Sequence, residues 1–194
     1  MSDAPLVGVL ALQGGFEAHI KILDRLGARS REVRTPADLA DLDALILPGG
    51  ESTVMTLGIE REGLGDPLRE LAATGIPILG TCAGMIILDR AHLGILDVLA
   101  RRNAFGRQLH SFEVDLNLDG IDGAAGERIH GVFIRAPWIA ERGPGVEVLA
   151  EVDGHPVAIR QGNVLALSFH PELAGEDRVH RLLLALVGRR TALQ

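Results

Sequence analysis

The chain's one cysteine, Cys82, stands in Gly80-Thr81-Cys82-Ala83-Gly84, between the apolar runs Ile76-Pro77-Ile78-Leu79 and Met85-Ile86-Ile87-Leu88. A nucleophile with small residues on both sides, leaving a buried strand and entering a helix, has the form of a strand-to-helix elbow. The turn is tight there, and bulk would strike neighbouring backbone. Such an elbow lifts the sulfur above the sheet edge. It also sets the thiol near the first free N–H groups of the helix, where the positive end of the helix dipole favours thiolate, and aims the Ala83 N–H at a developing oxyanion. The bland alternative for a lone thiol is a small buried apolar group, which needs none of this context. A single cysteine also excludes an intrachain disulfide and a cysteine-based zinc cluster.

The second informative segment is Ser168-Phe169-His170-Pro171-Glu172, which follows the buried run Val164 to Leu167. Catalytic side chains in parallel sheets sit on loops at the carboxyl ends of strands, so His170 can meet Cys82 across a large sequence separation. Pro171 fixes a backbone dihedral between the two polar residues, and Glu172 is placed to hold the far nitrogen of the imidazole and set its tautomer. Read alone, His-Pro-Glu fits a solvated turn equally well. Of the other histidines, His19 falls on a polar face of the first helix, and His92, His110, His130, His155 and His180 lack a carboxylate just beyond a proline. Together, Cys82, His170 and Glu172 form a candidate nucleophile, base and orienting acid. Other elbow-bearing folds, serine-hydrolase relatives and small cysteine-elbow α/β proteins among them, would fit the same pattern.

The elements needed to bring these residues together are legible in the apolar periodicity. Leu6 to Leu12 reads as a strand, and Phe16, Ile20, Leu23 and Leu26 recur at helical spacing up to Gly27. Thr35-Pro36 signals a helix start before 37–40, Ala44 to Leu47 reads as a strand ending at Pro48-Gly49-Gly50, and Asp66-Pro67 opens a helix through Ala73. Apolar strands alternating with helices predict right-handed crossovers and a parallel sheet covered on both faces. The second half differs. The segment 112–118 alternates apolar and polar residues, and 129–134, 146–152 and 157–160 add short strands, which predicts an antiparallel or mixed extension. The run 164–169 is again a buried strand, and Val179, Leu182, Leu183 and Leu186 mark a last amphipathic helix.

With 194 residues and 47% hydrophobic content, the chain is long enough for one substantial core, and a single domain over 1–194 is expected. A net charge of −7 offers no broad attraction for phosphate backbones or anionic lipid, so no nucleic-acid or membrane partner is expected. No apolar run reaches the roughly 18–20 residues that span a bilayer, and the start lacks a basic stretch followed by an apolar one, so a cytoplasmic location is expected. No metal-ligand spacing such as His-Glu-x-x-His occurs.

With both sites placed, the chain resembles the class I, triad-type glutamine amidotransferases, and within them the PdxT family, the glutaminase subunits of pyridoxal 5′-phosphate synthase. The matching blocks are Gly8-Val9-Leu10-Ala11-Leu12-Gln13-Gly14, Leu47-Pro48-Gly49-Gly50-Glu51-Ser52-Thr53, the elbow, Asn103-Ala104-Phe105-Gly106-Arg107-Gln108, Val132-Phe133-Ile134-Arg135-Ala136-Pro137, and Ser168 to Glu172. The elbow and His-Pro-Glu mark the class; the others mark the vitamin B6 branch.

The resemblance implies a flavodoxin-like three-layer α/β sandwich with a mostly parallel central sheet, helices on both faces and an antiparallel extension. It implies hydrolysis of L-glutamine to glutamate and ammonia through a Cys82 thioester, with His170 and Glu172 completing the triad and no cofactor. It assigns glutamine binding to Gly50, Glu51, Ser52, Arg107, Ile134 and Arg135, and the oxyanion site to the backbone at Gly50 and Ala83. A guanidinium suits the α-carboxylate of glutamine, and carboxylate or carbonyl oxygens suit its α-ammonium. The implied partner is a (β/α)₈-barrel pyridoxal 5′-phosphate synthase subunit in a large hetero-oligomer, which receives the ammonia. A glutaminase serving another synthase, of the imidazole glycerol phosphate type, would share the triad but not Asn-x-Phe-Gly-Arg-Gln. A non-catalytic cysteine-elbow module would have no need of an intact His-Pro-Glu.

Overall fold

The computed structural model describes residues 4–102, 111–118 and 128–191. Arg107 and the rest of the Asn-x-Phe-Gly-Arg-Gln block lie outside the described residues. The chain begins with β1 (Leu6–Leu10), α1 (Phe16–Arg25) and β2 (Arg29–Val33), then a 3₁₀ turn at Pro36–Leu39 and β3 (Ala44–Leu47). There follow α2 (Ser52–Arg61), α3 (Gly65–Ala73), β4 (Ile78–Thr81) and α4 (Ala83–Leu88). The second half contributes β5 (Val98–Arg101), β6 (Ser111–Leu116), β7 (Ile129–Ile134), β8 (Trp138–Arg142), β9 (Glu147–Val152), β10 (His155–Gln161), β11 (Val164–Leu167) and α5 (Arg178–Thr191).

A seven-stranded sheet in the order β2-β1-β3-β4-β11-β10-β9 organises the molecule. From β2 through β11 every neighbour is parallel, and β10 and β9 extend the sheet antiparallel, as the sequence predicts. The strands β1, β3 and β4 are buried along their whole length because helices cover both faces. On one face, α1 and α5 pack Leu23, Val179, Leu183 and Leu186 against Val7, Val9 and Ile46. On the other, Met55 and Ile59 of α2, Leu68 of α3 and Met85 and Ile87 of α4 cover Leu10, Leu45 and Leu47. Full burial of each such side chain contributes about 1.5–3 kcal/mol, and these two apolar layers hold the sheet in place.

The structure departs from the sequence reading at several elements. The helix expected at 37–40 is the 3₁₀ turn, with a capping box between Thr35 and Asp38. Helix α2 has no counterpart in the periodicity, because Val54 and Leu57 point to solvent and blur the apolar stripe, while Gly58 lets the helix sit close to Leu12. Strand β2 is an edge strand of mostly charged residues and gives no apolar signal. Strands β5 and β8 pair with each other outside the main sheet, as do β6 and β7. Among the described residues, no helix is long and apolar enough to cross a membrane.

Candidate active site

Strand β4 ends at Thr81 and α4 starts at Ala83, so Cys82 alone makes the turn, at φ 49° and ψ −106°. That is the left-handed side of conformational space, where a side chain is strained unless the surroundings hold it. They do: the Cys82 N–H donates to the Leu167 carbonyl at 2.7 Å, fastening the elbow to β11. The small flanking residue is required by space. A Cβ on Gly84 would lie 2.0 Å from the Leu47 carbonyl oxygen. Helix α4 therefore packs with its backbone directly against β3, and the sulfur is left at the carboxyl edge of the sheet, 3.8 Å from the Ile134 carbonyl.

His170 leaves the end of β11, its backbone N–H donating to the Val132 carbonyl at 2.8 Å. Its Nδ1 meets Glu172 Oε1 at 2.7 Å, and its ring lines the same cleft as Cys82. Burial opposes the charged imidazolium, but the neighbouring Cys82 and the hydrogen-bonded Glu172 outweigh it and raise the His170 pKa to about 10. Glu172 is buried, which works against its ionisation. The hydrogen bond from His170, with the charge of that imidazolium, nevertheless holds its pKa below the ordinary value. His170 and Glu172 thus form a hydrogen-bonded pair, and Cys82 lies beside it: a Cβ on Gly49 would come within 2.2 Å of His170 Cε1 and 3.2 Å of Cys82 Cβ.

The loop after β3 closes the opposite wall. A Cβ on Gly49 would come within 2.2 Å of His170 Cε1, so only glycine lets this loop approach the imidazole. The Gly49 carbonyl accepts from the Gly15 N–H at 2.9 Å. In a trans peptide the following N–H points the opposite way, so the Gly50 N–H is turned from Gly15. The Glu51 N–H donates to Gln13 Oε1 at 2.7 Å, tying this loop again to the segment after β1. Glu51 caps α2 by accepting from the N–H groups of Thr53 and Val54, and those bonds, with Arg102 nearby, hold its carboxyl below the usual range.

These walls enclose a cleft of about 380 Å³. Cys82, His170, Glu172, Gly50, Glu51, Ser52, Ala83, Ile134 and Arg135 all line it. Sequence reasoning misses Arg102, which reaches the cleft and pairs with Glu51 at 2.8 Å; the available signal is its place next to the Asn-x-Phe-Gly-Arg-Gln block. Arg135 enters with φ 45°, so the backbone at the cleft mouth is constrained there too. His19 requires a correction: the helical periodicity sets it on a polar face, yet it is wholly buried against Thr81 and His180. Its polar surroundings are inside the protein, which periodicity cannot distinguish from solvent. No group of His, Cys, Asp and Glu able to hold a metal ion is found among the described residues.

A mostly parallel, helix-covered sheet with a cysteine elbow facing a histidine–glutamate pair defines a glutamine amidotransferase class. A solved structure described as a glutamine amidotransferase superimposes with a TM-score of 0.86 at 47% identity, covering 94% of this chain and 98% of that one. The chain belongs to the SNO glutamine amidotransferase family, which it matches over residues 9–188. Among curated relatives, the pyridoxal 5′-phosphate synthase subunit PdxT of Parafrankia sp. is 51% identical, over 99% of this chain and 98% of its own length. The subunit of the same name from Streptomyces coelicolor is 49% identical, over 100% of this chain and 99% of its own.

Proposed function

We propose that this chain is the glutaminase subunit of a pyridoxal 5′-phosphate synthase, acting as one domain over 1–194 in the cytoplasm and delivering ammonia from L-glutamine to a synthase subunit. The observation that carries the reading is the array Cys82–His170–Glu172, with its 2.7 Å link between His170 and Glu172, at the floor of a cleft that a glutamine side chain can enter. Full-length identity to the PdxT subunits supports the pyridoxal branch.

In the reaction, the Cys82 proton passes to His170, whose affinity for a proton is high beside Glu172, and the sulfur attacks the amide carbon of the glutamine side chain. The oxyanion accepts hydrogen bonds from the backbone N–H groups of Ala83, the first residue of α4, and Gly50. His170 then gives its proton to the departing nitrogen, ammonia leaves, and a thioester remains. Water, deprotonated by His170, attacks the thioester; glutamate departs and Cys82 recovers its proton. Arg107 and Arg135, with Gly50 and Glu51, bind the glutamine, a guanidinium suiting its α-carboxylate and carboxylate or carbonyl oxygens suiting its α-ammonium. Ser52 and Ile134 complete the binding walls.

The partner is a (β/α)₈-barrel synthase in a hetero-oligomer, and turnover is low until it docks. The test is ammonia release from glutamine with and without a pyridoxal 5′-phosphate synthase subunit, using wild type and Cys82→Ala. We expect release from wild type, increased by the synthase, and none above background from the variant. A folded Cys82→Ala protein with wild-type turnover sinks the assignment.

A further inference from the structure

Behind the array lies a second set of polar groups that the reaction leaves unused. Glu172 presents Oε1 to His170, while Oε2 faces the other way, buried and without a hydrogen bond within normal length. The group opposite is His19 Nε2 of α1, at 3.6 Å. The same nitrogen lies 3.2 Å from Thr81 Oγ1, one residue before the nucleophile. His19 Nδ1 is 2.9 Å from His180 Nε2 of α5, and His180 Nδ1 is buried without a partner. His19, Thr81 and His180 are each 0% exposed.

One proton lies between the two imidazoles, and its position can be decided. Burial, the dominant influence, holds both histidines below their ordinary pKa, His180 to about 3, so both rings are neutral. If His19 donated from Nδ1, its bare Nε2 would face a carboxylate oxygen, and His180 would bury an N–H with no acceptor. Both are costly. If His180 Nε2–H donates to His19 Nδ1, then His19 carries its proton on Nε2, directed at Glu172 Oε2 and Thr81. Only one bare ring nitrogen, His180 Nδ1, is then left without a partner.

We propose that His19, oriented by His180, is a positioning residue for Glu172: its Nε2–H faces Oε2 and holds the carboxylate ionised and turned so that Oε1 meets His170. The inference rests on the glutaminase reading of Cys82, His170 and Glu172. The charged and titratable groups facing Glu172 are His170 from its own loop, His19 from α1 and, through it, His180 from α5. Asp177 and Arg25 lie near the outer end of the pair. Without the Nε2–H, the buried carboxylate loses the favourable dipole on the side away from His170, its proton affinity rises, and the imidazole loses its fixed orientation.

Two measurements test this. In ¹⁵N-histidine-labelled protein, ring nitrogen spectra assigned with His19→Gln and His180→Phe should show both residues as neutral Nε2–H tautomers; a His19 protonated on Nδ1 overturns the proposal. In the complex with the synthase subunit, His19→Met, which keeps volume and removes the donor, should lose about tenfold or more in kcat with KM for glutamine nearly unchanged. The acid limb of its pH profile should move to higher pH, and His19→Gln, which retains an N–H donor, should recover much of both. A folded His19→Met with wild-type kcat and pH profile overturns the proposal. If His19→Met does not fold, the tautomer spectra decide. Absence of ammonia release from wild type would refute the glutaminase reading, while the tautomer spectra would still decide the orientation of His19 on their own.

Discussion

At the scale of residues, the carboxylate behind the imidazole controls how long the imidazole keeps its proton. With His170 raised to about 10 by Cys82 and Glu172 against the pull of burial, the rate should hold on the alkaline side until pH approaches that value. Replacing Glu172 by Gln keeps the shape and removes the charge. Its kcat should fall by a factor on the order of 10²–10⁴, as when the acid of a comparable triad becomes an amide. The alkaline limb should also descend at lower pH than in wild type. Steady-state kinetics across the interval between the ordinary histidine pKa and the raised value would check both; an unchanged limb would show that Glu172 does not govern His170. Legibility at this scale follows the covalent neighbourhood. Cys82 is visible because an elbow imposes small residues on both sides, and His170 because a proline and a carboxylate follow it at once. His19 and His180 carry no such local mark; their environment is created by strands and helices remote in sequence.

Elements set the tolerances within which those residues meet. Helix α4 approaches β3 backbone to backbone at Gly84, and neither side can retreat without moving the elbow or the central sheet. Gly84→Ala should therefore cost about 2–4 kcal/mol, visible as a lowered urea midpoint, whereas Gly145→Ala, with open space around it, should be near neutral. Equal midpoints for the two variants would refute the close-approach argument. The main sheet is legible because β1, β3, β4 and β11 are short apolar runs ending in Gly or polar turns, which is how a strand buried on both faces must read. Helix α2 is not, since exposed Val54 and Leu57 and a mid-helix Gly58 obscure its period. Its start is fixed by Glu51 capping two backbone N–H groups, a role that a carboxylate just after Gly-Gly does not advertise.

For the molecule as a whole, the buried histidines shape stability against pH in opposite directions. His170 has a raised pKa, so its contribution is complete below about 6.5 and is lost as pH rises through about 10. His19 and His180 are depressed, His180 to about 3, so the folded state refuses protons that the unfolded chain accepts. Their contribution is present above about 6.5 and declines as pH falls below it. Each group acts with a slope of up to about 1.4 kcal/mol per pH unit. Urea unfolding should give greatest stability near pH 6.5, with His180→Phe flattening the acid side and His170→Gln the alkaline side. A variant curve parallel to wild type would refute that attribution. The contact of His19 with Glu172 and His180 also bears on the birth of the protein. Those partners come from α1 and from the loop and helix after β11, so in a chain emerging from the ribosome Cys82 is present long before His170, Glu172 and His180 can gather around it. Chains cut before His170 are therefore expected to release no ammonia from glutamine, whatever synthase is added, which an assay on such a truncation would check.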